Sequence, residues 1–148
     1  MSNIVKELTG NYILNCAVIT WAIAQILKVF TYLLVTKELK LSRLLGSGGM
    51  PSSHTAFVAS ATIAVYRVEG IHSVAFAIMF VILMVIISDA VGVRRQAGEH
   101  ARVLNIIMEN WEQSKKKPID KNLKELLGHT PFEVFGGFLL AIIMAFFY

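Results

Sequence analysis

Four long apolar segments limit what this chain of 148 residues can fold into. They cover about residues 12–36, 53–68, 72–93 and 131–147. A helix needs roughly 20 apolar residues to cross the hydrocarbon core of a bilayer. The first and third segments are long enough, whereas the second and fourth need tilt or helix partners. We therefore predict one membrane-embedded domain over residues 1–148, an all-α bundle of about four transmembrane helices.

The composition excludes several other classes of protein. The chain is 55% hydrophobic and 16% charged, whereas a soluble domain has roughly 45–50% apolar and about 25% charged residues. A single cysteine, Cys16, excludes an intramolecular disulfide and a cysteine-based metal cluster. The net charge of +4 could indicate nucleic-acid binding. However, the basic residues flank the apolar segments and form no stripe, so we expect no nucleic-acid partner.

The basic residues also predict an orientation in the cytoplasmic membrane. With four spans, the loops 37–53 and 94–130 share one face of the bilayer. Eleven of the 14 lysines and arginines lie in these two loops, and two lie on the opposite face. By the positive-inside rule, the loop-bearing face is cytoplasmic and both termini are outside.

The polar insertion 94–130 contains a second pattern. Its apolar residues recur at helical spacing over Leu104, Ile107, Met108 and Trp111. This spacing predicts an amphipathic helix. Such a helix lies on the membrane surface or packs against its own domain, and the sequence leaves both open.

Three polar residues fall at membrane depth, where burial is costly and a functional role is the first hypothesis. Gln25 and Lys28 lie three residues apart on one face of the first predicted helix. Asp89 lies near the cytoplasmic end of the third. The alternative is that Lys28 extends to the membrane surface or pairs with Asp89.

A glycine- and serine-rich motif precedes the second segment. It reads Gly48-Gly49-Met50-Pro51-Ser52-Ser53-His54-Thr55. Free backbone N–H groups, two hydroxyls and the positive end of a helix dipole suit a phosphate group. Pro51 and Ser52 are also ordinary residues for a helix start. That alternative does not explain His54.

A histidine and a glutamate lie four residues apart at the start of the last segment. One helical turn would bring the Glu133 carboxylate to the His129 imidazole, fix its tautomer and raise its basicity. The run from Thr130 to Glu133 fits a capping box equally well, with Glu133 bonding to the Thr130 amide. The sequence leaves both open. No ligand spacing favours a metal site, so we predict none.

Two arginines, Arg94 and Arg95, directly follow the third segment. Arginines in this position are often topology signals. They share a predicted face with His54 and His129, however, and a guanidinium group binds phosphate oxygens in a planar, bidentate manner.

Together these motifs resemble the type 2 phosphatidic acid phosphatase superfamily, and within it the compact branch called the divergent type 2 phosphatidic acid phosphatase family. The resemblance covers nearly the whole chain, through residues 25–28, 48–56, 89–98 and 127–137. It implies that Ser52 and Ser53 hold phosphate, that Lys28 binds it, and that His54 is the general acid. Gln25, Gly48, Gly49 and Asp89 would support them.

The same resemblance implies the roles of the remaining motif residues. His129 would be the nucleophile that forms a phosphohistidine, Glu133 would orient it, and Arg94 or Arg95 would clamp the phosphate. The chain departs from the superfamily pattern at Ser53, where glycine is usual, and at Glu133, where aspartate is usual. It has no Arg-Pro pair after Lys28, and 33 residues separate Arg95 from His129.

The resemblance therefore implies a lipid phosphate phosphatase that needs neither metal nor cofactor. Phosphatidic acid and phosphatidylglycerophosphate are the favoured substrates, because both are made on the cytoplasmic side. The expected partners are the lipid substrate and the membrane, and the chain is compatible with a homodimer. The alternatives are a polyprenyl pyrophosphate phosphatase, a non-catalytic phospholipid-binding membrane protein, and a transporter or channel subunit that uses Lys28 and Asp89.

Overall fold

The computed structural model describes residues 10–39, 49–115, 123 and 128–147, with the backbone alone for residues 111–115. Five α-helices lie in these ranges: α1 (Tyr12–Thr36), α2 (Ser53–Glu69), α3 (Val74–Val91), α4 (Val93–Lys115) and α5 (Pro131–Phe147). The described part of the chain contains no β-strand. The predicted all-helical membrane bundle is confirmed.

Side chains at the helix starts explain where several helices begin. Asn11, Ser52 and Ser73 each accept a hydrogen bond from the backbone N–H three residues later, at the starts of α1, α2 and α3. The predicted third segment, 72–93, is two residues too long at each end. Ser73 lies outside the helix because it is the N-cap, and α3 ends before Gly92.

Helix α2 is the central helix of the bundle, in contact with α1, α3 and α5. Its sequence is rich in alanine, serine and threonine, and Ala56, Ala59 and Ser60 are completely buried. Small side chains let neighbouring helices approach closely, which is how transmembrane helices associate without a hydrophobic driving force. This explains why the least apolar of the four segments lies innermost.

The outer surface of the bundle is apolar. On α3, Val74 is 77% exposed and Val81 and Val85 are each 61% exposed. Two helical stretches are long and apolar enough to cross a membrane: Tyr12–Thr36, which is α1, and Val74–Asn110, which contains α3 and most of α4. Helix α5 (Pro131–Phe147) is a shorter apolar helix. A soluble protein rarely exposes so large an apolar surface, whereas a lipid-facing helix requires one.

Helix α4 begins only two residues after α3 ends, so the polar insertion starts as a helix. Ala101 and Asn105 form its buried face. The predicted apolar stripe points outward, since Leu104 and Ile107 are 47% and 53% exposed. Of the two interpretations, this favours a helix on the membrane surface. The side chain of Trp111 and the lysine-rich segment after residue 115 lie outside the described residues.

The helices alternate in direction, so their ends collect at two opposite faces. At one face, Arg67 contacts the Tyr12 ring and donates a hydrogen bond to the backbone carbonyl of Ala145. At the other face lie the end of α3 and the starts of α2 and α5. The basic residues Lys40 and Arg43, with those of 116–124, lie outside the described residues, so the orientation stays a prediction.

Candidate active site

Two backbone hydrogen bonds connect the segments that carry the motifs. The Ser52 N–H donates to the Glu133 carbonyl at 2.9 Å, and the His129 N–H donates to the Ala90 carbonyl at 3.0 Å. They bind the start of α5 to the start of α2 and to the end of α3. Residues far apart in sequence therefore meet at one end of the bundle.

Glycines allow these segments to approach closely. A Cβ atom at Gly137 would lie 2.4 Å from the Ser52 carbonyl oxygen, and one at Gly128 would lie 2.3 Å from the Arg95 Cα. The sequence analysis gives neither glycine a role. The glycines within the apolar segment 131–147 were the available signal, because small residues let membrane helices approach closely.

One carboxylate oxygen fulfils both interpretations of the histidine–glutamate motif. Oε2 of Glu133 lies 3.1 Å from Nδ1 of His129 and accepts a hydrogen bond from the Thr130 N–H at 3.0 Å. The Thr130 hydroxyl accepts from the Glu133 N–H at 3.3 Å, which completes the capping box. With Nδ1 held as a donor, Nε2 of His129 is the ring nitrogen left with a lone pair.

His129 is 3% exposed, and this environment affects its charge. Burial lowers the pKa of the imidazole, while the hydrogen bond and the negative charge of Glu133 act in the opposite direction. Lys28 and Arg94 lower the pKa further. The ring is therefore neutral at neutral pH, the state that a nucleophile requires.

The second histidine faces the first across a small cavity. The ring centroids of His54 and His129 are 6.3 Å apart. Both rings line a cavity of about 70 Å³ together with Ile86, Asp89, Ala90 and Arg94. His54 is the more exposed of the two. The structure thus brings together two motifs that lie 75 positions apart in the sequence.

Lys28 contacts the start of α2. Its Nζ donates a hydrogen bond to the Ser53 hydroxyl at 2.8 Å, and the residue is 2% exposed. The ammonium group therefore stays inside the bundle and does not extend to the membrane surface. Gly49, in the left-handed region at φ +98°, lies close to the Lys28 side chain. Gly48 lies outside the described residues.

Ser52 acts as the N-cap of α2. Its hydroxyl accepts hydrogen bonds from the Thr55 N–H at 3.4 Å and from the Thr55 hydroxyl at 3.0 Å. The capping interpretation of this serine is therefore present in the structure. It does not account for Ser53, whose hydroxyl faces Lys28.

The two arginines occupy different surroundings. Arg94 lines the cavity between the histidines and forms an ion pair with Asp89 through its Nε. Arg95 lines a separate, more polar cavity of about 280 Å³ beside His129 and Thr130. The alternative pairing of Lys28 with Asp89 is not the arrangement seen, because Asp89 pairs with Arg94 and Lys28 bonds to Ser53.

Gln25 lies one turn before Lys28 on α1. Its Oε1 is buried and has no hydrogen-bond partner among the described residues. A buried acceptor without a partner is costly, and Gln25 lines none of the cavities described above. The described residues contain no group of three or more His, Cys, Asp or Glu side chains placed to hold a metal ion.

Comparisons with known proteins agree with the motifs. The sequence model of the Divergent PAP2 family matches residues 9–144. The chain is 35% identical over 156 aligned positions to the uncharacterized membrane protein YuiD of Bacillus subtilis (strain 168), and the alignment covers 96% of this chain and 99% of that relative. No solved structure matches the chain.

Proposed function

The chain belongs to the Divergent PAP2 family, and from this premise we propose that it hydrolyses a lipid phosphomonoester through a phosphohistidine on His129. One observation supports the proposal most strongly. His54 and His129 line one small cavity with Arg94, and Glu133 holds Nδ1 of His129. The proposed nucleophile, proton donor and phosphate-binding cation thus line the same cavity.

In the first step, Nε2 of His129 attacks phosphorus in line with the leaving oxygen. The N–P bond forms as the P–O bond to the alcohol breaks, and His54 in its protonated form gives the leaving oxygen its proton. The His129 ring becomes cationic during the attack. The negative charge of Glu133, 3.1 Å from Nδ1, stabilises that cation.

In the second step, a water molecule replaces the alcohol. Neutral His54 takes a proton from this water as its oxygen attacks phosphorus. The P–N bond breaks, inorganic phosphate is released and His129 returns to its neutral form. His54 is then protonated again, so both histidines recover their initial states.

Lys28, Ser52, Ser53 and Arg94 would stabilise charge on the three equatorial oxygens. Preorganised donors of this kind supply much of the rate enhancement of phosphoryl transfer. Arg94 is the proposed clamp because it lines the cavity with both histidines, whereas Arg95 lines another. Asp89, paired with Arg94, would hold the guanidinium in place.

We place the proposed site on the cytoplasmic side and both termini outside, because the positive-inside rule puts the basic loops in the cytoplasm. Phosphatidic acid and phosphatidylglycerophosphate are the proposed substrates because both are made on that side of the membrane. The proposed chemistry relies on the cationic side chains for positive charge, and it uses no metal or cofactor.

Phosphate release by the purified protein tests this proposal. We expect release from phosphatidic acid or phosphatidylglycerophosphate that survives a chelator and is inhibited by vanadate, a mimic of pentacoordinate phosphorus. His129→Ala abolishes this release, whereas His100→Ala, which removes an exposed histidine of α4, does not.

Release from polyprenyl diphosphate alone would reassign the substrate. Full activity of His129→Ala would overturn the mechanism, and no release from any lipid would favour a binding protein.

A further inference from the structure

The cavity between the two histidines is too small for a whole substrate. Its volume is about 70 Å³, far below the roughly 300–1,000 Å³ of cavities that hold a whole small molecule. It has room for a small group such as a phosphoryl group. The remainder of the substrate must lie in a space that adjoins it.

Two larger cavities share lining residues with it. One of about 280 Å³ shares His129 and is lined by polar residues that include Arg95, Glu99 and Arg102. The other, of about 400 Å³, shares His54 and Ile86. We call the second the α1–α3 groove, and its remaining walls are Trp21, Phe57 and Val58. Its volume lies within the usual range for ligand sites.

In-line displacement decides between them. If His129 attacks phosphorus, the leaving alcohol departs from the opposite face, which is the side of His54. The α1–α3 groove lies on that side, and apart from His54 its walls are apolar. Trp21 and Phe57 are 41% and 36% exposed on the outer surface of the bundle, where lipid surrounds a membrane helix. The groove therefore opens to the membrane between α1 and α3.

We infer that the α1–α3 groove is the subsite that holds the hydrocarbon of the leaving alcohol, with Trp21 and Phe57 as its walls on the bilayer side. This inference rests on the proposed function, because it uses His129 as the nucleophile to fix the leaving side. The anionic head group would meet Lys28 and Arg94, and the chain would lie against Trp21, Phe57 and Ile86.

Chain length is the first test. Straight-chain alkyl phosphates from ethyl to octyl are compared below their micelle concentrations. Burial of one methylene changes affinity by about fourfold, so kcat/KM rises several-fold with each added carbon until the groove is full. Phe57→Ala flattens this rise. Phe80→Ala, which removes a 46% exposed phenylalanine from the outer surface of α3, leaves it unchanged. Equal kcat/KM for ethyl and octyl phosphate would overturn the inference and leave the proposed function standing.

A binding measurement makes the inference testable without turnover. The chain has two tryptophans, so Trp111→Phe leaves Trp21 as the only tryptophan, which is excited selectively at wavelengths that tyrosine does not absorb. A non-hydrolysable alkyl phosphonate brominated along its chain quenches Trp21 saturably, and at lower concentration than the alcohol with the same brominated chain. Lys28→Met removes the difference between them. Equal, unsaturable quenching by both would show that Trp21 meets only bulk lipid, and would overturn the inference. Saturable quenching without phosphate release from any ester would support the groove and overturn the proposed function.

Discussion

At the scale of single residues, Glu133 shows why two interpretations of one motif could not be separated from sequence. Its Oε2 contacts both Nδ1 of His129 and the N–H of Thr130. The spacing of four residues to His129 and of three to Thr130 predicts both contacts, and both form on the same oxygen. Only the charge of the carboxylate distinguishes a helix cap from a partner of the nucleophile.

Glu133→Gln removes that charge and keeps an oxygen acceptor. Glutamine serves nearly as well as glutamate in a capping box, so we expect an unchanged melting temperature. Turnover should fall on the order of 10²-fold, because a neutral amide cannot compensate the cationic ring that forms during attack. Measuring both on the purified variant decides between the roles. Near-normal turnover would reduce Glu133 to a helix cap.

The pH dependence of Glu133→Gln gives an independent readout. In the unaltered protein, kcat/KM falls as pH drops through the pKa of His129, which burial places below the ordinary histidine value of about 6.5. Glu133 raises the pKa of His129. Replacing the carboxylate by a neutral amide therefore lowers the pKa of His129 further. The acid limb of the profile should therefore move to lower pH. If the acid limb of the kcat/KM profile does not move, a group other than His129 controls it.

The two arginines offer a matched pair of variants. Arg94 lines the cavity between the histidines and Arg95 does not. We expect kcat/KM for a lipid phosphate to fall on the order of 10²-fold in Arg94→Ala, and much less in Arg95→Ala. Arg94→Lys should recover only part of the loss, since an ammonium group cannot bind two phosphate oxygens in a plane. A larger loss in Arg95→Ala would exchange the two roles.

At the scale of elements, the sequence predicted the helices better than their contacts. Apolar runs gave α1 and α5 their bounds, because this signal is local. The position of α2 at the centre depends on the small side chains of Ala56, Ala59 and Ser60, a packing property that hydropathy does not record. The early start of α4 was missed because the arginines after Gly92 were interpreted as part of a polar loop.

Adjacent glycines in α5 provide a test of how the elements hold the site. Alanine at Gly137 would place a Cβ 2.4 Å from the Ser52 carbonyl, a backbone atom that cannot yield easily. At Gly136 the nearest atom is the flexible Met50 Cε at 3.1 Å. We expect Gly137→Ala to lower stability by roughly 1–3 kcal/mol, as overpacking does, and to reduce activity.

Gly136→Ala is the matched control for Gly137→Ala. It should keep or raise stability, since alanine favours a helix over glycine by about 1 kcal/mol. Thermal unfolding in detergent and phosphate release measure both variants. Equal behaviour of the two would contradict the close packing of α5 on the start of α2.

At the scale of the whole molecule, the candidate site exists only because α1 and α3 end, and α2 and α5 begin, at one face. Sequence analysis expected His54 and His129 at that face from the alternation of spans. It could not give the 6.3 Å between their rings, which depends on the backbone bonds of Ser52 and His129 to distant carbonyls. The pairing of Arg94 with Asp89 likewise requires the turn between α3 and α4 and was not predicted.

The central claim is that His129 carries the phosphoryl group. It is tested most directly by trapping that intermediate in His54→Ala with an aryl phosphate, whose leaving group departs without a proton donor. Loss of His54 also slows attack by water, so the phosphoenzyme should accumulate after rapid quenching. We expect mass spectrometry to locate an acid-labile, alkali-stable phosphate on His129, absent from the double variant with His129→Ala. A phosphate on another residue, or product formation without any phosphoenzyme, would contradict the mechanism.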